Sequence, residues 1–144
     1  MNIEHRLPTV PEFITLRTQT DWGVPDPSIV EKVLDRSFSG IVAMDGGQAI
    51  GMTRTVGDGH LILYIQDVII SAAHRKQGIG RVLIKALLTK LENTCSPNCT
   101  VGLFAAIGQA GFYEDLGFST RGNSAYGPGM HGTLSELAKP LNAA

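Results

Sequence analysis

The sequence predicts one α/β domain on a mixed central sheet that contains an antiparallel meander. Two hairpin signals, Asp45-Gly46-Gly47 and Gly57-Asp58-Gly59, separate successive apolar runs. A long helix with an apolar stripe follows the third run, and a short apolar run follows that helix. The last run can join the sheet beside the third strand, parallel to it, through a right-handed crossover.

Taken in order, Pro8 to Thr20 is predicted helical, with Val10, Phe13, Ile14 and Leu16 on or near one face. The breaker-rich loop Asp21-Trp22-Gly23-Val24-Pro25-Asp26-Pro27 follows. Asp26 is placed to cap a second helix with Pro27 at its first position, running to about Ser37. The meander comprises Ile41 to Met44, Ala49 to Val56 and Leu61 to Ile70. Gly78 to Asn93 is the long helix, with Val82, Leu83, Ala86, Leu87 and Leu91 as its stripe. Asn98 to Phe104 is expected as a strand, Gly108 to Leu116 as a short helix, and Gly117-Phe118 as the start of another strand. Arg121 to Ala144 is Gly-rich and weakly patterned. No repeat, low-complexity tract or linker divides residues 1–144, which are read as a single domain.

Composition narrows the function. A chain of 144 residues with 43% hydrophobic content can bury a real core. The net charge of -1 and the pI of about 6.4, without a long basic run, argue against nucleic acid as partner. No apolar run approaches the ~20 residues that a membrane helix needs. The N-terminal Met-Asn-Ile-Glu-His-Arg lacks a signal-peptide core, so a cytoplasmic location is expected. Cys95 and Cys99 without clustered partners do not make a zinc site, and His5, His60, His74 and His131 stand singly, so no metal is expected. The two thiols read as free, with a local disulfide as the alternative.

The stretch richest in chemistry runs from Asp67 to Arg81, an apolar strand end, a turn, and a glycine loop that opens the long helix. The first N–H groups of a helix lack intrahelical partners and carry partial positive charge, and glycine lets a phosphate approach the backbone. Arg75, Lys76 and Arg81 add full charges there. Position 83 is Leu, so a dinucleotide fingerprint fails, and no Gly-Lys-Ser/Thr exists for a nucleotide P-loop. What remains is Arg75-x-x-Gly78-x-Gly80, which reads either as a pyrophosphate cradle or as a solvated turn with incidental basic residues. A second motif is Phe112-Tyr113-Glu114-Asp115-Leu116-Gly117-Phe118. Phe112, Leu116 and Phe118 suit a core and Gly117 a helix C-cap, whereas a buried Tyr113 phenol needs a partner. Its O–H is therefore a candidate proton donor.

With these two motifs in this order, the chain resembles the GNAT family of N-acetyltransferases over roughly Ile41 to Phe118. The resemblance implies a GNAT-like fold, with central strands that splay apart and helices on both faces of the sheet. It implies acetyl-CoA as acyl donor and an amine as acceptor. Val68, Ile69 and Ile70 then match the strand end whose backbone pairs with pantetheine. Arg75, Lys76, Gln77, Gly78, Ile79, Gly80 and Arg81 match the pyrophosphate cradle. Tyr113 matches the residue that protonates the departing thiolate. Ile65-Gln-Asp-Val-Ile-Ile, Leu103-Phe-Ala, the Phe-Tyr motif and Gly129-Met130 look most similar to small-amine acetyltransferases. Ala105-Ala106-Ile107-Gly108 stands where many members carry an Asn, so no side-chain amide is expected on CoA from there.

Asp67, with Gln66, interrupts the apolar third strand, where a carboxylate is costly unless paired. It reads either as the base for the acceptor amine or as a structural acid that shapes the pocket. Tyr64 and Gln66 are weaker candidates. Trp22 is either a wall of the acceptor pocket, stacking on an amine, or a core plug. The expected partner is a small-molecule amine, and a homodimer is allowed. Acetylation of a protein amine and a non-catalytic CoA sensor are the alternatives. A toxin acting on charged tRNA fits the acidic pI poorly.

Overall fold

Strand β1 (Asn2–Glu4) leads the chain, followed by helices α1 (Val10–Arg17) and α2 (Pro27–Asp35). The meander β2 (Ser39–Asp45), β3 (Gln48–Gly57) and β4 (Ile62–Ile70) comes next, then helix α3 (Ile79–Glu92) and strand β5 (Thr100–Gly102). These elements form one compact unit, Met1–Phe104, and a second unit, Ala105–Ala144, holds helices α4 (Ala110–Glu114) and α5 (Leu134–Asn142). The computed structural model describes residues 1–122 and 125–142.

Local signals place the helices. Thr9 and Glu12 form a reciprocal capping box at the start of α1, with Glu12 N–H donating to Thr9 Oγ1 at 3.3 Å and Thr9 N–H to Glu12 Oε2 at 2.8 Å. Asp26 accepts from Ser28 N–H at 3.1 Å, and Pro27 occupies the first position of α2. Gly46 and Gly47 both have positive φ, 53° and 79°, as a tight two-residue hairpin between β2 and β3 requires.

The sheet order is β1-β2-β3-β4-β5, antiparallel except for the parallel β4–β5 pair. Helices cover both faces. Met52 and its partner Ile69 pack with Phe13, Leu16 and Val30 of α1 and α2. The neighbouring pair, Gly51 and Ile70, faces the other way, where a Cβ on Gly51 would lie 3.0 Å from Leu83 of α3. Leu83, Ile84, Leu87 and Leu91 bury that face of α3. Val82, expected in the stripe, is 38% exposed, and Ile84 takes its place in the core.

Strand β4 changes phase partway along. Ile65 pairs with Thr55 but Ile69 pairs with Met52, so five residues of β4 oppose four of β3. The extra residue is a β-bulge, and it turns Ile65 and Ile69 to opposite faces although their spacing is even. Asp67 sits in the bulge with φ of 57°, a conformation that Asp adopts more readily than most residues.

The last strand is shorter than the expected Asn98 to Phe104. Only Ile62–Thr100, Leu63–Val101 and Tyr64–Gly102 pair, and among the described residues no strand continues along that edge of β4 from Ile65 to Ile70. The expected strand at Gly117-Phe118 is absent. Gly117 N–H bonds Glu114 C=O at 2.9 Å and Phe118 N–H bonds Tyr113 C=O at 3.1 Å. That closes α4 with a Schellman cap on Gly117 (φ 99°), which commits the Phe118 N–H to the helix end instead of a ladder. Helix α5 was not expected from the weak pattern there, yet Thr133 and Glu136 form a second capping box at its start.

The cap of α1 carries a pH dependence. Arg6 forks onto Glu12 at 2.7 and 2.9 Å and also reaches Glu4 at 2.6 Å, tying β1 to α1. The Arg6 guanidinium, then the Thr9 amide, hold the Glu12 carboxyl below its ordinary value of 4.5 against the opposing effect of burial. A carboxyl lowered in the folded state stabilises fully above pH 4.5, and that contribution is lost as pH falls through the folded value. Urea unfolding of Glu12→Gln and the parent chain should therefore show a stability gap at pH 7 that narrows towards pH 3. A gap independent of pH would show that the fork contributes nothing through charge.

Candidate active site

The bulge brings three charged side chains together. Asp67 is fully buried, and one oxygen accepts from Arg17 Nη1 while the other accepts from Arg54 Nε at 2.7 Å. Arg17 lies in the last turn of α1 and Arg54 in the middle of β3, and their side chains are 15% and 13% exposed. Arg54 Nη1 also donates to Ser37 Oγ at 3.2 Å. A carboxylate buried alone would be costly, so the paired guanidiniums are what allow it inside the sheet. Arg17 and Arg54 escaped the sequence reading. An arginine within the apolar run Ala49 to Val56, one strand from a buried aspartate, was the available signal for Arg54.

Arg17 reaches further. Its Nε donates to Gly23 C=O at 2.8 Å, and its guanidinium carbon lies 5.6 Å from the Trp22 ring centroid. Trp22 is 45% exposed, so it is not a core plug. One arginine thus ties the bulge to the loop that carries the indole.

The turn after β4 is stitched to the end of α1. Gln19 Oε1 accepts from Ala72 N–H at 2.7 Å, and Gln19 C=O accepts from Arg75 Nη2 at 2.8 Å. Arg75 Nε donates to Ile70 C=O at 3.2 Å, so this guanidinium folds back on the protein. Ser71 Oγ lies 2.7 Å from His74 Nδ1. Lys76 and Gly78 both have positive φ, 61° and 83°, and Gly78 caps α3 without any side-chain hydrogen bond. Ile79, Gly80 and Arg81 open the helix, where N–H groups point out of its end. Val68, Ile69 and Ile70 lie on the β4 edge that no strand among the described residues covers.

Tyr64 stands where β5 leaves β4. Its hydroxyl accepts from Phe104 N–H at 3.2 Å, and the two rings meet edge to face at 5.2 Å. Burial pushes the phenol above its ordinary value, and the Phe104 amide opposes that shift. In the second unit, Tyr113 of α4 is half-buried, with Phe112 and Phe118 edge to face at 4.9 and 6.0 Å. Cys95 and Cys99 are free. Among the described residues no helix is long and apolar enough to cross a membrane.

Residues 24–134 match the acetyltransferase (GNAT) domain. The chain is similar to a GNAT-family acetyltransferase from Streptococcus pneumoniae at 25% identity, with 92% of this chain and 96% of that one covered and a TM-score of 0.76. It shares its fold with a probable acetyltransferase from methicillin-resistant Staphylococcus aureus at 22% identity, 92% and 98% coverage and a TM-score of 0.80. It also shares the fold of the ribosomal-protein-S18-alanine N-acetyltransferase of Escherichia coli at 19% identity, 83% and 77% coverage and a TM-score of 0.68.

The Asp67→Asn substitution should cost ~3–5 kcal/mol of stability, because it leaves two largely buried guanidiniums without their counter-charge. Urea unfolding measures this directly. A loss below ~1 kcal/mol would mean that the arginines find other partners.

Proposed function

The chain belongs to the GNAT acetyltransferase family, and on that premise we propose that it transfers acetyl from acetyl-CoA to the primary amine of a small molecule. The observation that carries the reading is the conjunction of a β4 edge at Val68, Ile69 and Ile70 that no strand among the described residues covers with a helix N-terminus, after the next turn, whose cap Gly78 makes no side-chain hydrogen bond. The chain's residues fit acetyl-CoA on these grounds. The β4 edge offers backbone groups to an amide-bearing arm. The amides from Gln77 to Arg81, opened by Gly78, suit a pyrophosphate. Lys76 and Arg81 supply full charge, while Arg75 braces the turn through Ile70 and Gln19.

Bound acetyl-CoA supplies the acetyl group as a thioester, activated towards an amine. In this reading Tyr113 donates its phenolic proton to the sulfur as the C–S bond breaks and the C–N bond forms, while solvent takes the proton that the amine nitrogen loses and reprotonates the phenolate. Of the backbone amides from Val68 to Ile70, those that alternate away from β3 are available to charge that develops on the carbonyl oxygen. Asp67 takes the structural of its two roles, because each oxygen already accepts from an arginine. It anchors the bulge and, through Arg17, the Trp22 loop. The exposed indole of Trp22 suits an amine through its π face and supports a pocket for a small acceptor.

Free-thiol release from acetyl-CoA with a panel of amines, polyamines, amino acids and peptides tests the reading. A small primary amine should give turnover. Turnover with peptides alone would overturn the small-molecule acceptor, and acetyl-CoA binding without turnover on any acceptor would overturn catalysis. On the best acceptor, Tyr113→Phe should lower kcat by ~10²–10⁴-fold with little change in acetyl-CoA affinity by calorimetry. Near-normal turnover would remove Tyr113 from the chemistry.

A further inference from the structure

A groove of about 280 Å³ runs between α2 and β3, lined by Ile29, Lys32, Val33, Arg36, Arg54 and Val56. The lining follows from periodicity. Ile29, Lys32, Val33 and Arg36 stand at i, i+3, i+4 and i+7, one stripe of α2. Arg54 and Val56 alternate onto one face of β3. Three cations therefore meet three aliphatic side chains. Glu31 of the same helix lies on its opposite face, while Asp35 stands three residues from Lys32 at the margin of the stripe, and among the described residues it makes no ion pair with Lys32 or Arg36.

We propose that this groove is a binding site for a small oxyanion, the carboxylate or phosphate group of a small molecule. Cations near the C-terminal end of α2 favour its dipole, which accounts for Lys32 and Arg36 singly. It does not account for Arg54, which comes from another element. Arg54 spends Nε on Asp67 and Nη1 on Ser37. Among the described residues Nη2 of Arg54 has no hydrogen-bond partner, and neither Lys32 nor Arg36 makes a side-chain hydrogen bond or ion pair. Like charges at i and i+4 repel, so the arrangement costs the free protein something that a bound anion removes. A planar guanidinium edge with free donors and two flexible cations suit the equatorial oxygens of such a group. Ile29, Val33 and Val56 suit a short apolar portion beside it. A groove of this size is large enough for such a group.

The test is an NMR titration of the full chain with inorganic phosphate and, separately, with 3-methylbutanoate at constant ionic strength. Amides of 29–36 and 54–56 should shift saturably with at least one of them. The double variant Lys32→Gln/Arg36→Gln, altered only at exposed positions, should weaken that binding at least ~10-fold, the loss of a charge-assisted hydrogen bond. Lys85→Gln, on α3, should leave it unchanged. Shifts scattered over the surface, or equal affinity in the double variant, overturn the proposal. Acetylation kinetics with matched amines, with and without a carboxylate, separate the two sources. A KM increase in the double variant confined to the carboxylate-bearing amine assigns the anion to the acceptor. Unchanged KM with lost phosphate binding assigns it to a separate ligand. The titration reads the groove whether or not any amine is acetylated.

Discussion

One buried carboxylate governs the architecture of the first unit. Asp67 occupies the β4 bulge, and its two oxygens are held by Arg17 of α1 and Arg54 of β3. A bulge alone would be a strained residue with a polar side chain turned into the core. The two guanidiniums turn that liability into a junction of three elements. Once it forms, β4 must change phase between Ile65 and Ile69. One strand then serves the α3 face through Ile65 and the α1–α2 face through Ile69. The same local twist lies where β4 outruns β5, whose pairing stops at Tyr64. The free edge and the phase change are thus neighbours along β4.

The junction also explains why the loop after α1 and the turn after β4 are ordered together. Arg17 takes Asp67 with one nitrogen and the Gly23 carbonyl with another. Two residues on, Gln19 engages Ala72 and Arg75. The end of α1 therefore sets both the Trp22 loop and the approach to the glycine loop. Buried ion pairs are poor net stabilisers compared with apolar packing of equal volume. What this triad supplies is register, since a one-residue slip of β4 would take Asp67 away from both arginines.

Much of this was legible in the sequence because it rests on local signals. Asp26-Pro27 marked the start of α2, the Gly46-Gly47 turn marked the hairpin, and the apolar stripe marked α3. The bulge was not legible, because an even spacing of Ile65, Asp67 and Ile69 imitates a regular strand. Only the tertiary pairing with β3 reveals that the spacing crosses faces. The interruption at Gln66-Asp67 was visible, and its partners at positions 17 and 54 were not, since they lie on separate elements. The α5 start was legible and missed, as Thr133-Leu-Ser-Glu136 repeats the logic of Thr9-Val-Pro-Glu12. The strand expected at Gly117-Phe118 failed because Gly117 completes a helix cap, which the same residues also encode. Arg75 shows the limit of motif reading. Its place in the glycine loop is as expected, yet its guanidinium turns back onto Ile70 and Gln19.

The charge of the junction does not balance, and the imbalance has a direction. Two arginines face one carboxylate, which leaves a surplus of positive charge near the middle of the sheet. Arg17 disperses its share onto the Gly23 carbonyl and the face of Trp22. Among the described residues Arg54 has only the Ser37 hydroxyl besides Asp67, and it lines the groove together with Lys32 and Arg36. The group that sets the register of β4 is therefore the same group that carries unmatched charge to the surface. A ligand that met that charge would strengthen the hold of Arg54 on its position. Binding in the groove and order at the bulge would then be linked through one side chain, with Asp67 as the shared contact.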